Sequence, residues 1–255
     1  MNLHFRAVGS GTPLLILHGL LGSLDNWSPI AQRLATHFRV FLIDLRNHGQ
    51  SPHAPEFSYD EMVDDLREFL KQQRIEKAHL LGHSMGGKVA MRFAQLHPNL
   101  LNKLVVVDIA PREYPSRYAG LMEAMTAVDL ARLQRRDEVD QALSSTVPDK
   151  SLRQFLLKNL GRDAAGHLFW KPDLKSIRAN YDSIRRGLPE AKCHCPALFI
   201  RGEQSDYIQT DDVARIQQLF PLARIESVPG AGHWVHANAP ERVLEVVTQF
   251  LLAES

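Results

Sequence analysis

Short, nearly continuous apolar runs limit most strongly what this chain can fold into. They fall at Leu14–His18, Arg39–Asp44, Ala78–Gly82, Leu104–Ile109, Ala197–Arg201 and Arg224–Val228. Most carry Leu, Ile and Val without polar alternation, the pattern of parallel strands covered on both faces. Between them lie stretches with apolar residues at helical spacing. Tyr59–Gln73 sets Met62, Leu66, Phe69 and Leu70 on one face, with Ser58 as N-cap and Glu61 three residues on, a capping-box pattern. Met85–Leu96 and Pro240–Leu252 carry similar stripes, and a proline at 240 suits a first helical turn. Strands alternating with helices imply right-handed crossovers, so the chain predicts a doubly wound α/β sheet.

The rhythm breaks once. Between Pro111 and about Glu190 the pattern is helical and charged, and no strand is expected. Residues 112–190 carry a net charge of +3 against −2 for the rest of the chain. We therefore expect residues 1–111 and 191–255 to form one α/β core and residues 112–190 to be a helical lid inserted into it. Met122, Met125, Phe155, Phe169 and Trp170 read as the small core of that lid, although such adaptable side chains also serve as substrate contacts. The positive excess reads first as a solvated face and second as a bias toward an anionic substrate.

Composition narrows the function classes. The 255 residues are 44% hydrophobic and 23% charged, the balance of a soluble globular protein. Lys and Arg number 30 against 29 Asp and Glu, a formal charge of +1. That near-neutrality lacks the footprint of a nucleic-acid binder or a polybasic membrane protein. The apolar run at Leu14–Leu17 ends at His18-Gly19, far short of the roughly 18 residues a membrane span needs. Residues 1–13 lack a basic segment followed by a signal core. Cys193 and Cys195 flank one histidine, too close to staple a fold and too short for a zinc site without distant partners. They read as reduced thiols. The expectation is a cytoplasmic protein, monomeric or weakly homo-oligomeric, with a small-molecule substrate and neither nucleic acid nor membrane as partner.

Gly82-His83-Ser84-Met85-Gly86 is a G-x-S-x-G pattern that follows an apolar strand and opens a helical run. A sharp strand-to-helix turn there would strain the serine backbone and expose its hydroxyl above the sheet, beside a helix N-terminus. A serine hydroxyl is a weak nucleophile at neutral pH and needs a base. His233, in Gly230-Ala231-Gly232-His233-Trp234, lies between the last strand and the last helix, where open α/β sheets place their sites. His236 ranks second because a helix begins there. His18-Gly19-Leu20-Leu21-Gly22 ends the first strong strand. Its glycines let backbone amides face a developing oxyanion, and the predicted donors are the N–H groups of Leu20 and Met85.

With these motifs in order, the chain resembles the α/β-hydrolase family over essentially its whole length. The carriers are His18-Gly19, the stretch Asp44-Leu45-Arg46-Asn47-His48-Gly49-Gln50-Ser51, Gly82–Gly87 and Gly232-His233. More narrowly, the runs G-H-S-M-G-G-K, V-D-I-A-P and G-A-G-H-W-V-H are similar to the YbfF-type esterase group. The resemblance implies an eight-stranded, mostly parallel sheet, a helical cap between strands six and seven, no cofactor, and ester hydrolysis. In the broader family the acid stands three residues after a glycine ending the seventh strand. Counting from Gly202 lands on Ser205, with Asp206 one residue late. Asp108 ends the sixth strand, one βαβ unit after Ser84, and the narrower resemblance assigns the acid role to that strand. Asp108 is preferred and Asp206 is the alternative.

Asp44, Arg46 and His48 form a polar turn that is structural in the family. His18, Gly19, Trp27, Ser205 and Trp234 are candidate pocket residues, and each tryptophan reads equally as core. The function expected is serine esterase action on short- to medium-chain carboxylic esters or thioesters through an acyl-serine. A C–C bond hydrolase or lyase would use the same Ser–His pair, and a hydrolase-like receptor would keep the pocket without turnover. Epoxide hydrolase and haloalkane dehalogenase chemistry needs an aspartate where Ser84 stands.

Overall fold

The computed structural model describes residues 1–253. Along the chain, β1 (Phe5–Val8) and β2 (Thr12–Leu17) precede α1 (Ser28–Leu34) and β3 (Phe38–Ile43). Then come α2 (Tyr59–Gln72), β4 (Ala78–His83), α3 (Met85–Leu96) and β5 (Leu101–Val107). The next segment holds α4 (Ala119–Ala127), α5 (Arg136–Leu143), α6 (Lys150–Leu157), β6 (Leu160–Arg162), β7 (Leu168–Trp170), α7 (Leu174–Ala179) and α8 (Tyr181–Arg185). The chain closes with β8 (Ala197–Gly202), α9 (Thr210–Leu219), β9 (Ala223–Val228), α10 (Val235–Asn238) and α11 (Pro240–Leu252).

The main sheet has the order β1-β3-β2-β4-β5-β8-β9, parallel except for β1 against β3. All six expected strands are present, and the central ones are buried on both faces, which is why their sequences are continuous in Leu, Ile and Val. One apolar cluster gathers α2, α3 and much of residues 112–190 on one face of the sheet; another gathers α1 and α11 on the opposite face. Ser58 caps α2 by accepting a hydrogen bond from the Glu61 N–H (3.3 Å). The Glu61 carboxylate does not return to the cap. It reaches Arg46 at 3.0 Å, so the expected box is half formed and the other half is replaced by an ion pair.

Two expectations need correction. The described residues form seven strands in the main sheet, not eight. Before β2 the chain forms one short strand and a turn in which Gly9 and Gly11 hold φ of +77° and +99°. The segment between β5 and β8 is also not wholly helical. β6 and β7 pair antiparallel across a turn closed by Gly166 at φ +88° and by the Asp163 carboxylate, which accepts from the N–H groups of Ala165 and His167. Three-residue strands are shorter than any periodicity can reveal. Among the described residues no helix is long and apolar enough to cross a membrane. Cys193 and Cys195 are free and buried.

Candidate active site

The turn from β4 into α3 sets Ser84 at φ +51°, ψ −118°, a conformation L residues adopt only under constraint. The constraint is close packing of backbone. A side chain on Gly82 would meet the Gly86 carbonyl oxygen at 2.1 Å, and one on Gly86 would meet the His18 carbonyl oxygen at 2.5 Å. The flanking glycines are thus required by contact, and the serine is held at the end of the sheet. Its backbone N–H donates to the Val107 carbonyl (3.0 Å), tying the turn to β5.

The strands then converge on one imidazole. The Ser84 hydroxyl lies 3.1 Å from His233 Nε2, and His233 Nδ1 lies 2.9 Å from Asp108 Oδ2. In the tautomer this chain of contacts favours, Nδ1–H donates to the carboxylate and Nε2 accepts from the hydroxyl. Asp108 is fully buried, follows β5 directly, and takes φ +52°. Its Oδ1 accepts from the Gly202 N–H (2.9 Å) and its Oδ2 also accepts from the Ser205 hydroxyl. Gly202 is required as glycine by contact, since a side chain there would strike the carbonyls of Ala231 and Gly232 and push the His233 loop away.

The loop after β2 reaches a cavity beside the same hydroxyl. Leu20 and Met85 both line the cavity beside Ser84, and Met85 is the first residue of α3, where an N–H has no carbonyl one turn back to bond. Leu21 holds φ +56° and its N–H donates to His48 Nε2 (3.2 Å). A family description of the alpha/beta hydrolase fold matches residues 12–240. The chain belongs to the α/β-hydrolase family. It is 42% identical to the sn-1-specific diacylglycerol lipase ABHD11 of Danio rerio over 97% of this chain and 80% of that protein. It is 35% identical to esterase YbfF of Escherichia coli K12 over 98% and 99% of the two chains. Among solved structures, a marine microorganism esterase superposes with a TM-score of 0.95 at 44% identity, over 97% of this chain and 98% of that one.

In this α/β-hydrolase, Asp206 faces away from the imidazole. Its carboxylate pairs with the Arg117 guanidinium, with Oδ1 at 2.7 Å, and that guanidinium holds it below the usual carboxylate range. Ser205, considered for the pocket, instead bonds Asp108, so the position where the broader family carries its acid here supports another acid. His18 also lies outside the cavity walls. Its Nδ1–H donates to the Gly19 carbonyl (2.8 Å) and its Nε2 accepts from the Leu45 N–H (3.0 Å); burial pushes it down to about 4, so it serves as a neutral fastener. Asp44 spends its two carboxylate oxygens on the N–H groups of Leu24 and Gln50, and Arg46 grips Asp65 at 2.6 and 2.9 Å. That stretch is a buried turn, as the resemblance implies.

Two cavities meet at Ser84. One, about 40 Å³, lies beside residues 112–190 and includes Leu20, Met85, Lys88 and Tyr118 in its wall. The other takes in Gly19, Trp27, Phe155, Trp234 and His236. Both candidate tryptophans therefore line space next to the hydroxyl. Trp27 does so while buried and stacked on the His236 ring at 4.3 Å. Several site residues gave no sequence signal. His83 donates from Nε2 to the His233 carbonyl (2.9 Å) and steadies the loop from below. Tyr207 stacks on the His233 ring, with centroids 3.6 Å apart and planes 15° from parallel. Asn159 reaches from the segment after β5 to the Leu21 carbonyl at 2.6 Å. Asn159 and Tyr207 stand in no motif, His83 occupies a variable position of the G-x-S-x-G pattern, and each acts on a residue distant in sequence.

Proposed function

We propose that this α/β-hydrolase is a serine esterase that cleaves short-chain carboxylic esters and thioesters through an acyl-serine intermediate. The observation that carries the reading is the continuous contact from Ser84 through His233 to Asp108. Ser84 Oγ attacks the ester carbonyl while His233 Nε2 takes its proton. Asp108 holds the imidazole in the required tautomer and stabilises the imidazolium as it forms. The N–H groups of Leu20 and Met85 receive the charge on the tetrahedral oxygen, each such donor typically contributing about a hundred- to a thousandfold in rate. His233 returns the proton to the departing alcohol or thiol. Water, activated by the same imidazole, then releases the acid.

Relatives named as esterase and lipase support ester chemistry, and the small cavity beside Ser84 favours short acyl groups over the medium chains also considered. Residues 112–190 act in this reading as a lid, and two buried thiols accord with a reducing, cytoplasmic setting. The test compares wild type with Ser84→Ala on p-nitrophenyl acetate and butyrate. The substitution should lower kcat by several orders of magnitude without changing the far-UV spectrum. Comparable turnover by the two proteins would overturn the proposal.

A further inference from the structure

Ser84 stands between two cavities, and a short acyl group needs only one of them. The acyl chain and the alcohol oxygen leave an attacked carbonyl carbon in different directions, so the two halves of an ester require separate space. With the acyl group in the cavity of about 40 Å³, the alcohol half falls to the other, walled by Gly19, Trp27, Phe155, Trp234 and His236. That inner space is only about 10 Å³, room for about one water molecule. Behind it lies a basin of about 460 Å³ whose lining includes the polar side chains of Lys150, Gln154, Lys158 and Asn238. Asn26, Phe155, Trp234 and His236 wall both spaces and so form the partition between them.

The four partition residues are not held alike. Asn26 Oδ1 accepts from the Ser23 N–H at 2.7 Å. His236 is buried, stacked on Trp27 with centroids 4.3 Å apart and tilted against His83 at 4.8 Å. Phe155 and Trp234 are half-buried and face each other as rings, with centroids 5.5 Å apart and planes at 45°. Contact and ring electrostatics hold such a pair, so no hydrogen bond between them breaks when they part. Phe155 stands on α6 of the segment 112–190, whereas Trp234 directly follows the base. We propose that Phe155 and Trp234 form a slot through which the leaving alcohol or thiol reaches the basin, and that this slot sets leaving-group specificity. Flat or unbranched groups pass it, and groups branched near the ester oxygen do not. The slot adjoins His233, which returns its proton to that same oxygen or sulfur. The proposal rests on the esterase reading and names which leaving groups that site accepts.

The experiment measures kcat/KM for n-pentyl acetate and neopentyl acetate, isomers that form the same acetyl-enzyme and differ only in branching of the alcohol. Wild type should favour the unbranched isomer by about tenfold or more, and Phe155→Ala should lower that ratio by about fivefold or more. Phe155→Leu, which keeps an apolar side chain on α6, should lower it in the same direction and serves where the alanine variant folds poorly. The ratio for ethyl acetate against ethyl butyrate, which differ in the acyl half, should stay as in wild type. Equal wild-type rates for the two isomers, or a branching preference that survives both substitutions, would overturn the proposal. An acyl-length ratio that moves as far as the branching ratio would also overturn it, by setting Phe155 against the acyl chain. Fluorophosphonate labelling of Ser84 in wild type separates the two levels. Labelling without a branching preference removes only the slot, whereas no labelling removes the esterase reading beneath it.

Discussion

At the scale of single residues, the site depends on two non-glycine positions with φ near +50°, Ser84 and Asp108, each at the carboxyl end of a neighbouring strand. Such conformations typically cost about 1–3 kcal/mol and persist where the surroundings over-determine them. For Asp108 the surroundings are the Gly202 N–H, the Ser205 hydroxyl and the His233 imidazole. Asp108→Asn should therefore lower kcat by about 10⁴-fold, as the wrong histidine tautomer does in such triads, whereas Asp206→Asn should change it little. Kinetics on one short ester decide this, and equal losses would contradict the assignment. Tyr207 invites a second comparison. Tyr207→Leu removes the ring stacked on the imidazole and should lower kcat roughly tenfold through misplacement of the base, while Tyr207→Phe keeps the ring and most of the rate. Identical kcat values for the two variants would remove the positioning role. Ser84 and His233 were legible because glycines crowd around them in short motifs. The acid was narrowed to Asp108, which ends its strand, and Asp206, one residue late in the count from Gly202; Asp108 was preferred, but spacing alone did not decide, because which way a side chain leaves a strand end depends on φ. Tyr207 was illegible because stacking leaves no trace in spacing.

At the scale of elements, the long buried strands and amphipathic helices could be read directly. Burial on both faces forces continuous apolar sequence, and burial on one forces a 3.6-residue stripe. β1 escaped notice because it is four residues long and half-exposed at the sheet edge. β6 and β7 are shorter still, and their signal was the turn chemistry of Asp163 and Gly166 rather than any pattern of their own. The packing of one element on another gives two further tests. Gly86→Ala would drive a methyl group to 2.5 Å from the His18 carbonyl oxygen and 2.6 Å from that of Leu17, both backbone and unable to yield cheaply. It should destabilise the fold by about 1–3 kcal/mol in urea unfolding, and a neutral result would mean that the turn is looser than described. Asn159→Ala leaves the buried Leu21 carbonyl without its donor and should cost about 1–3 kcal/mol while slowing ester cleavage, since Leu21 adjoins the proposed Leu20 donor. Unchanged stability and unchanged rate together would contradict that link.

At the scale of the whole molecule, buried neutral histidines make stability depend on acid. Burial holds His18 down at about 4 and His48 at about 3, while both return to about 6.5 in the unfolded chain. Above pH 6.5 both states are neutral and nothing is gained or lost. Below it the unfolded chain binds protons that the folded protein refuses, so each histidine removes up to about 1.4 kcal/mol per pH unit until the folded value is reached. Stability should fall between about pH 6.5 and 4, and His48→Gln should flatten that acid limb in urea titrations. Equal limbs would show that His48 is not the neutral fastener its contacts indicate.

The same long-range logic brings Ser84, Asp108 and His233 together from three separate crossovers, and one labelling measurement examines that assembly directly. A fluorophosphonate probe followed by intact-mass and peptide analysis should place a single adduct on Ser84, with labelling slowed by more than about a hundredfold in His233→Ala. Labelling of another residue, or an unchanged rate without the imidazole, would contradict the account.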